Sequence, residues 1–88
     1  MDAEEEIKKL AKSKKLIIGS ERAIKLLKNK KAEKIFVSSN CPDGVKKDIK
    51  KYCSLSGANC IELKQTNEEL GMLCKRSFSV AVASVIKG

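Results

Sequence analysis

The sequence predicts an α/β fold, specifically a three-layer α/β/α sandwich with a four-stranded mixed sheet. Two observations support it. Short apolar segments of strand length alternate four times with longer segments whose apolar residues recur at helical spacing. Turn-forming residues separate most of these segments, and such alternation implies helices on both faces of one sheet. A chain of 88 residues has the length of one domain, so we predict a single domain over residues 1–88.

The first predicted element is an amphipathic helix from Ala3 to about Ser13. Its apolar residues recur at i, i+4, i+7 and i+8, which places them on one stripe. Three glutamates fill its first turn, as the helix dipole favours. The basic residues predicted at its end are Lys12, Lys14 and Lys15.

A predicted strand from Leu16 to Ile18 turns directly into a second helix. Gly19 can adopt the backbone angles of a tight turn, and we predict Ser20 as the N-cap of a helix from Glu21 to about Lys28. Asn29 can take the left-handed conformation that ends a helix. Such a corner leaves backbone N–H groups unpaired at the positive end of a helix, which favours a phosphate. A lone glycine does not make a dinucleotide or nucleoside-triphosphate motif.

The middle of the chain contains two further predicted strands and a helix between them. The strand from Ile35 to Val37 leads into a loop, Ser38 to Pro42, which carries the chain's one proline. Asp43 is predicted to cap a third helix, which Gly57 ends. A third strand follows from Cys60 to Leu63.

The last predicted elements are a short helix and a closing strand. Thr66 and Glu69 have the spacing of a capping box, so they predict the start of a fourth helix. The strand from Val80 to Ile86 is rich in small and β-branched residues, which predicts a central position in the sheet.

The charge balance favours a polyanionic partner. Lys and Arg number 19 against 11 Asp and Glu, which gives a net charge of +8. Nucleic acid and an anionic membrane surface both fit this charge, but no basic amphipathic helix with aromatic anchors is present. The N-terminus is acidic where a signal peptide would be basic, and the apolar runs are too short to span a bilayer. We therefore expect a cytoplasmic protein with no membrane partner.

The residue types that support catalysis or metal binding are scarce. The four cysteines form no Cys-x-x-Cys pair and the chain has no histidine, so we predict no metal site and no cofactor. The cysteines are expected to be reduced and mostly buried. Cys41, in a loop before a helix, is the one candidate nucleophile by position. We predict that the protein is not an enzyme.

Five short motifs lie in the order and spacing of one family, between about residue 7 and residue 86. The motifs are Ile18-Gly19 with Ile24-Lys25; Ser39-Asn40-Cys41-Pro42; Lys47, Ile49, Tyr52 and Leu55; Asn67-x-Glu69-Leu70-Gly71-x-x-Cys74; and Phe78-x-Val80. On these motifs the chain resembles the small ribosomal and ribonucleoprotein proteins that bind kink-turn RNA, the L-seven-Ae / L-thirty-e superfamily, and within it the large-subunit L-thirty-e type.

The resemblance implies a domain that grips a sharply bent RNA duplex through three loops at one edge. In this sequence those loops are Gly19 to Lys25, Asn40 to Pro42 and Ser77 to Val80. A glycine lets the RNA backbone approach, a lysine one helical turn further on neutralises phosphate, and an aromatic side chain contacts an unstacked nucleotide. The RNA-binding residues implied in this way are Gly19, Ser20, Glu21, Arg22, Lys25, Lys28, Asn40, Cys41, Pro42, Phe78, Ser79 and Val80.

Alternatives remain open for several of these residues. Phe78 with Val80 forms either an apolar wall for a nucleotide or part of the core, and Asn40 either contacts RNA or makes a local turn. Two rows of lysines are either RNA contacts or solvated surface. They are Lys28, Lys30, Lys31 and Lys34, and, on the third helix, Lys46, Lys47, Lys50 and Lys51.

The sequence departs from the family pattern at three places. Glu21 and Arg22 stand where relatives tend to have other pairs, and our hypothesis is that both contact the tandem G·A base pairs of the kink. Lys75 stands where the family usually has glycine. The chain also ends at Gly88 without the Asp-Pro-Gly extension of the family, so contacts made by that extension are not expected.

The predicted function is therefore non-enzymatic RNA binding. The resemblance implies a structural component of the large ribosomal subunit that stabilises a kink-turn, monomeric when free, with RNA and other ribosomal components as partners. The alternative is a kink-turn-binding protein of another ribonucleoprotein, such as a guide-RNA modification complex, or a free RNA regulator.

Overall fold

Four helices and four strands alternate along the chain in the computed structural model, which describes residues 3–13 and 16–86. The predicted type and order of the elements are confirmed, whereas Lys14 and Lys15 lie outside the described residues. The helices are α1 (Ala3–Ser13), α2 (Ser20–Lys28), α3 (Asp43–Ser56) and α4 (Asn67–Leu73). The strands are β1 (Leu16–Ile18), β2 (Ala32–Val37), β3 (Asn59–Glu62) and β4 (Val82–Ile86).

The strands form one mixed sheet in the order β1-β4-β2-β3. β4 runs antiparallel to both of its neighbours, β1 and β2, while β3 is parallel to β2. The predicted central position of the last strand is confirmed. Its small residues Ala83 and Ser84 are completely buried, because helices cover both faces of the sheet at this point.

Two apolar clusters, one on each face, make the three layers. The first joins α1 and α4 to the sheet, with Ile7, Phe36 and Leu70 fully buried. The second joins α2 and α3 to the opposite face. Successive residues of β2 alternate between the clusters, since Phe36 belongs to the first while Ile35 and Val37 belong to the second. The predicted α/β/α sandwich is therefore confirmed.

Strand ends differ from the predictions because pairing, rather than side-chain polarity, sets them. β2 begins at Ala32, three residues earlier than predicted, since Ala32 pairs with Ile86 across an irregularity in register. β4 begins at Val82 instead of Val80. β3 spans Asn59–Glu62, one residue earlier than predicted, in parallel register with β2.

Two predicted N-caps were wrong by one residue. Ser20 is the first residue of α2, and its N-cap is Gly19, whose φ of 115° and ψ of 143° lie in a region that favours glycine. Pro42 is the N-cap of α3, so Asp43 is the first helical residue rather than the cap. A carboxylate in the first turn still faces the positive end of the helix dipole. The predicted capping box of α4, between Thr66 and Glu69, is confirmed.

The end of α2 also differs from the prediction. Asn29 has a φ of −92°, and the left-handed residue is Lys30, at 57°. The Lys30 N–H donates to the Leu27 carbonyl (3.1 Å) and the Lys31 N–H to the Leu26 carbonyl (2.9 Å). This pair of bonds is a Schellman motif, whose left-handed position lies one residue beyond the C-cap.

α4 ends in the same way, with Lys75 as the left-handed residue at φ 57°. The Lys75 N–H donates to the Met72 carbonyl (3.0 Å) and the Arg76 N–H to the Gly71 carbonyl (2.9 Å). A lysine therefore occupies a position whose backbone angles favour glycine. α3 ends as predicted, with Gly57 at φ 77°.

Candidate nucleic-acid interface

Three loops meet at one edge of the sheet, where β1 and β2 end and β4 begins. The Gly19 N–H donates to the Val82 carbonyl (3.0 Å), and the Ser38 N–H donates to the Ala81 carbonyl (2.9 Å). We call these loops together the loop rim, defined as residues 19–25, 40–42 and 77–80. The main-chain bonds attach its first two loops to the start of β4.

Asn67, the first residue of α4, joins two loops of the rim. Its N–H donates to Asn40 Oδ1 (2.8 Å), and its Oδ1 accepts from Asn40 Nδ2 (3.0 Å). Its carbonyl accepts the Val80 N–H (2.9 Å). Asn40 is exposed, and its amide keeps one N–H and one oxygen lone pair for a ligand. The sequence predicted Asn40 but not Asn67, whose only signal was its place in the α4 motif.

The space beside Gly19 is open. A Cβ built on Gly19 would have no heavy atom within 4 Å, so a ligand backbone has room to approach. Gly19 has no side chain, and the first-turn amides of α2 therefore receive no side-chain cap. Glu21, Arg22 and Lys25 are all exposed on this first part of α2. A helix N-terminus with adjacent cations is suited to an anion.

The carboxylates that form ion pairs lie away from the loop rim. Within the described ranges, the ion pairs are Glu4 with Lys8, Glu6 with Lys34 and Glu62 with Lys50. The bond with Glu6 raises the pKa of Lys34. Arg22 and Lys25 take part in none of these pairs, although Glu21 lies beside Arg22 and one helical turn before Lys25.

The two rows of lysines have divided roles. Lys46, in the first turn of α3, donates from Nζ to the Ser39 carbonyl (3.2 Å), which places its charge beside the loop rim. Lys50, one turn further along, pairs with Glu62 instead. Lys28 lies at the far end of α2, about 12 Å along the helix axis from Ser20. Its Nζ stands 5.4 Å from the centre of the Tyr52 ring. The structure therefore does not bring Lys28 to the rim with the other predicted residues.

Phe78 is 58% exposed and Met72 is 70% exposed. Both line an open cleft of about 370 Å³ between α4 and the third rim loop. Val80, predicted to form a wall together with Phe78, is only 2% exposed and belongs to the first core cluster. The exposed apolar wall therefore consists of Phe78 without Val80. The remaining residues of the cleft are Glu68, Arg76, Ser77 and Ser79.

Cys41 also points inward, although its neighbours Asn40 and Pro42 are exposed. Its side chain is 5% exposed and packs in the second core cluster. Burial raises the pKa of this thiol, so it is protonated at neutral pH. Cys41 therefore anchors the loop and does not present a nucleophile or a side chain for RNA.

The described part of the chain shows neither a metal centre nor a membrane-spanning helix. Residues 3–13 and 16–86 contain no group of three or more Cys, Asp or Glu arranged to hold a metal ion. No helix in these ranges is long and apolar enough to cross a membrane.

The fold and the loop rim define a small α/β/α domain with a cationic edge, and known proteins have similar sequences. The chain is 37% identical over 83 residues to large ribosomal subunit protein eL30 of Saccharolobus solfataricus, which covers 94% of this chain and 77% of the relative. It is 33% identical over 86 residues to the eL30 protein of Methanocaldococcus jannaschii, covering 98% and 78%. Residues 1–88 match the family described as Ribosomal protein L7Ae/L30e/S12e/Gadd45 family. The chain belongs to this family, which confirms the resemblance drawn from its motifs.

Solved structures share the fold at lower identity. A Giardia lamblia 15.5kD RNA binding protein superposes with a TM-score of 0.80 at 23% identity, covering 93% of this chain and 68% of that chain. A protein of unknown function from Bacillus halodurans superposes with a TM-score of 0.85 at 18% identity, covering 93% and 81%. These similarities support the same α/β/α architecture.

Proposed function

We propose that this protein is a non-enzymatic RNA-binding component of the large ribosomal subunit and that it holds a kink-turn in its bent form. Its family and its eL30 relatives support the ribosomal role. The observation that carries the RNA-binding part is the loop rim, where exposed cations, a helix N-terminus without a side-chain cap and an exposed aromatic ring lie at one edge.

Each feature of the rim has a role in this proposal. The amides at the start of α2 and the side chain of Lys25 bind the RNA backbone, and Gly19 gives it room. Phe78 stacks on a nucleotide that the bend has removed from its helix. Asn40 offers its remaining donor and lone pair to a base edge or ribose.

Glu21 and Arg22 are proposed to distinguish the kink from an ordinary duplex. Both side chains are exposed at the N-terminus of α2. A carboxylate accepts from guanine N1–H and N2–H, and an arginine donates to guanine O6 and N7. We expect Glu21→Gln and Arg22→Ala each to weaken binding in a gel-shift assay. Unchanged affinity in both variants would remove them from the site.

The test of RNA recognition compares a kink-turn RNA with a straight duplex of the same base composition. The protein should bind the kink-turn more tightly, because only the bent form presents its backbone and an unstacked base to all three loops. Neutralising about four to six phosphates gives a slope of about −3 to −5 for log affinity against log salt concentration. Equal affinity for both RNAs, or a flat salt dependence, would contradict the proposal.

The ribosomal assignment needs a separate experiment, because another ribonucleoprotein would use the same RNA chemistry. Tagged protein should co-sediment with large subunits, and sequencing of the copurified RNA should return large-subunit ribosomal RNA. Recovery of guide RNAs or of one messenger RNA would contradict the ribosomal assignment. We further propose that the free protein is a monomer, which sedimentation in the absence of RNA will test.

A further inference from the structure

We propose that α4 sets the shape of the loop rim, with Asn67 and Gly71 as positioning residues for RNA binding. This inference rests on the proposed function. Neither residue needs to touch RNA. They act through the loops that they hold, namely the Asn40 loop and the loop that carries Phe78.

The Phe78 loop is attached to α4 at both of its ends. At the start, the Arg76 N–H donates to the Gly71 carbonyl (2.9 Å). At the end, the Val80 N–H donates to the Asn67 carbonyl (2.9 Å), and the Val80 side chain is buried in the core. Phe78 is thus exposed on a short loop whose two attachment points lie one helical turn apart on a single helix.

The backbone of the Phe78 loop packs directly against Gly71. A Cβ built on Gly71 would stand 2.3 Å from the Phe78 carbonyl oxygen and 3.2 Å from the Phe78 carbonyl carbon. It would also stand 3.3 Å from the Ser79 Cα. All three neighbours are backbone atoms, so no side-chain rotation relieves the overlap. Any larger residue at position 71 must displace the Phe78 loop.

Asn67 links the Phe78 loop to the Asn40 loop. Its side chain and its N–H both bond the Asn40 amide, while its carbonyl holds Val80. Two of the three rim loops therefore share one anchoring residue, 27 positions from Asn40 in the sequence. A rim held in its binding shape before RNA arrives does not pay the entropy of ordering its loops on binding.

The experiment compares Asn67→Ala and Gly71→Ala with Thr66→Val as the matched control. Thr66→Val removes the hydroxyl that caps α4 without changing charge or touching either loop. Binding to kink-turn RNA is measured well below the melting temperature of each variant. We expect Asn67→Ala to bind about three- to tenfold more weakly, as expected for one lost hydrogen bond. Gly71→Ala should lose about tenfold or more, although alanine is the better helix former. Thr66→Val should stay within about twofold.

A second measurement reports the loop in the absence of RNA. The chain has no tryptophan and one tyrosine, so Phe78→Trp introduces a single tryptophan, which is excited at wavelengths that Tyr52 does not absorb. Adding Asn67→Ala or Gly71→Ala to this variant should shift the Trp emission and its quenching by acrylamide, whereas Thr66→Val should not. A residue that acted only by touching RNA would leave the free protein's emission unchanged.

The outcomes separate this inference from the proposed function. If the wild type binds kink-turn RNA and both α4 variants bind as tightly as Thr66→Val, the positioning role is wrong. Unchanged Trp emission in both variants would also overturn it. Should the wild type not bind kink-turn RNA, the proposed function fails, while the emission measurement still decides whether α4 shapes the loop. If Gly71→Ala does not fold, Asn67→Ala carries the test alone.

Discussion

Replacing Lys75 by glycine should stabilise the protein, because Lys75 occupies a left-handed backbone position at φ 57°. A side chain in that conformation costs about 1–2 kcal/mol, and glycine avoids most of this cost. Glycine also gives the unfolded chain more conformational freedom, which lowers the free energy of unfolding by about 0.4–1 kcal/mol. The net expectation for Lys75→Gly is a free energy of unfolding higher by about 0.5–1 kcal/mol.

Thermal unfolding followed by circular dichroism measures this difference. For a chain of 88 residues the entropy of unfolding is about 0.18 kcal/mol/K, so the melting temperature should rise by about 3–5 °C. Lys30→Gly should give a rise of similar size, since Lys30 has the same φ of 57° at the end of α2. Urea unfolding should show a higher midpoint with an unchanged slope.

Lys31→Gly is the matched control. It removes the same charge from the next residue, which is not among the positive-φ positions of the described chain, so glycine there should lower the free energy of unfolding by about 0.5–1 kcal/mol. The opposite signs of Lys30→Gly and Lys31→Gly follow from backbone angle alone. If Lys75→Gly and Lys30→Gly were destabilised as much as Lys31→Gly, the argument from left-handed strain would be refuted.

Three further predictions concern binding and ionisation. Phe78→Ala should weaken kink-turn binding by about 1–3 kcal/mol, as measured by RNA titration. Leu55→Ala, which removes another exposed apolar side chain far from the rim, should leave the affinity for kink-turn RNA unchanged. Lys25→Ala should reduce the slope of log affinity against log salt by about 1, while Lys51→Ala, on the outer face of α3, should not. Burial raises the pKa of Cys53 to about 12, so the free energy of unfolding should fall as pH rises above about 9, where the unfolded thiol ionises and the folded one does not. Urea titrations at pH 8 and pH 10 should show this fall in the wild type and a smaller one in Cys53→Ala.

The periodicity of apolar residues, together with the turn and capping residues between the segments, predicted every element and the layered architecture. Apolar side chains at helical or strand spacing must be buried, and the chain has few ways to bury them all. Helix ends were less predictable, because they depend on backbone angles. Asn29 is the better left-handed residue by type, yet the Schellman motif requires that conformation one position later, at Lys30.

The exposed residues of the rim were easier to predict than their supports. Phe78 lies between two serines in a loop, and its exposure agrees with that context. Cys41 and Val80 lie in the same loops but point inward, since the packing of distant elements decides side-chain direction there. Asn67 could not be predicted, because its role depends on a partner 27 residues away. Lys28 is near the Gly19 corner in sequence but a helix length away in space.

The most direct test of the account is to map by NMR which residues of the isolated protein contact RNA. Kink-turn RNA is titrated into isotopically labelled protein, and backbone amide shifts are followed along the chain. The account predicts that the largest changes occur in the loop rim, residues 19–25, 40–42 and 77–80. Changes concentrated at the opposite end, in residues 28–31 and 51–57, would contradict it.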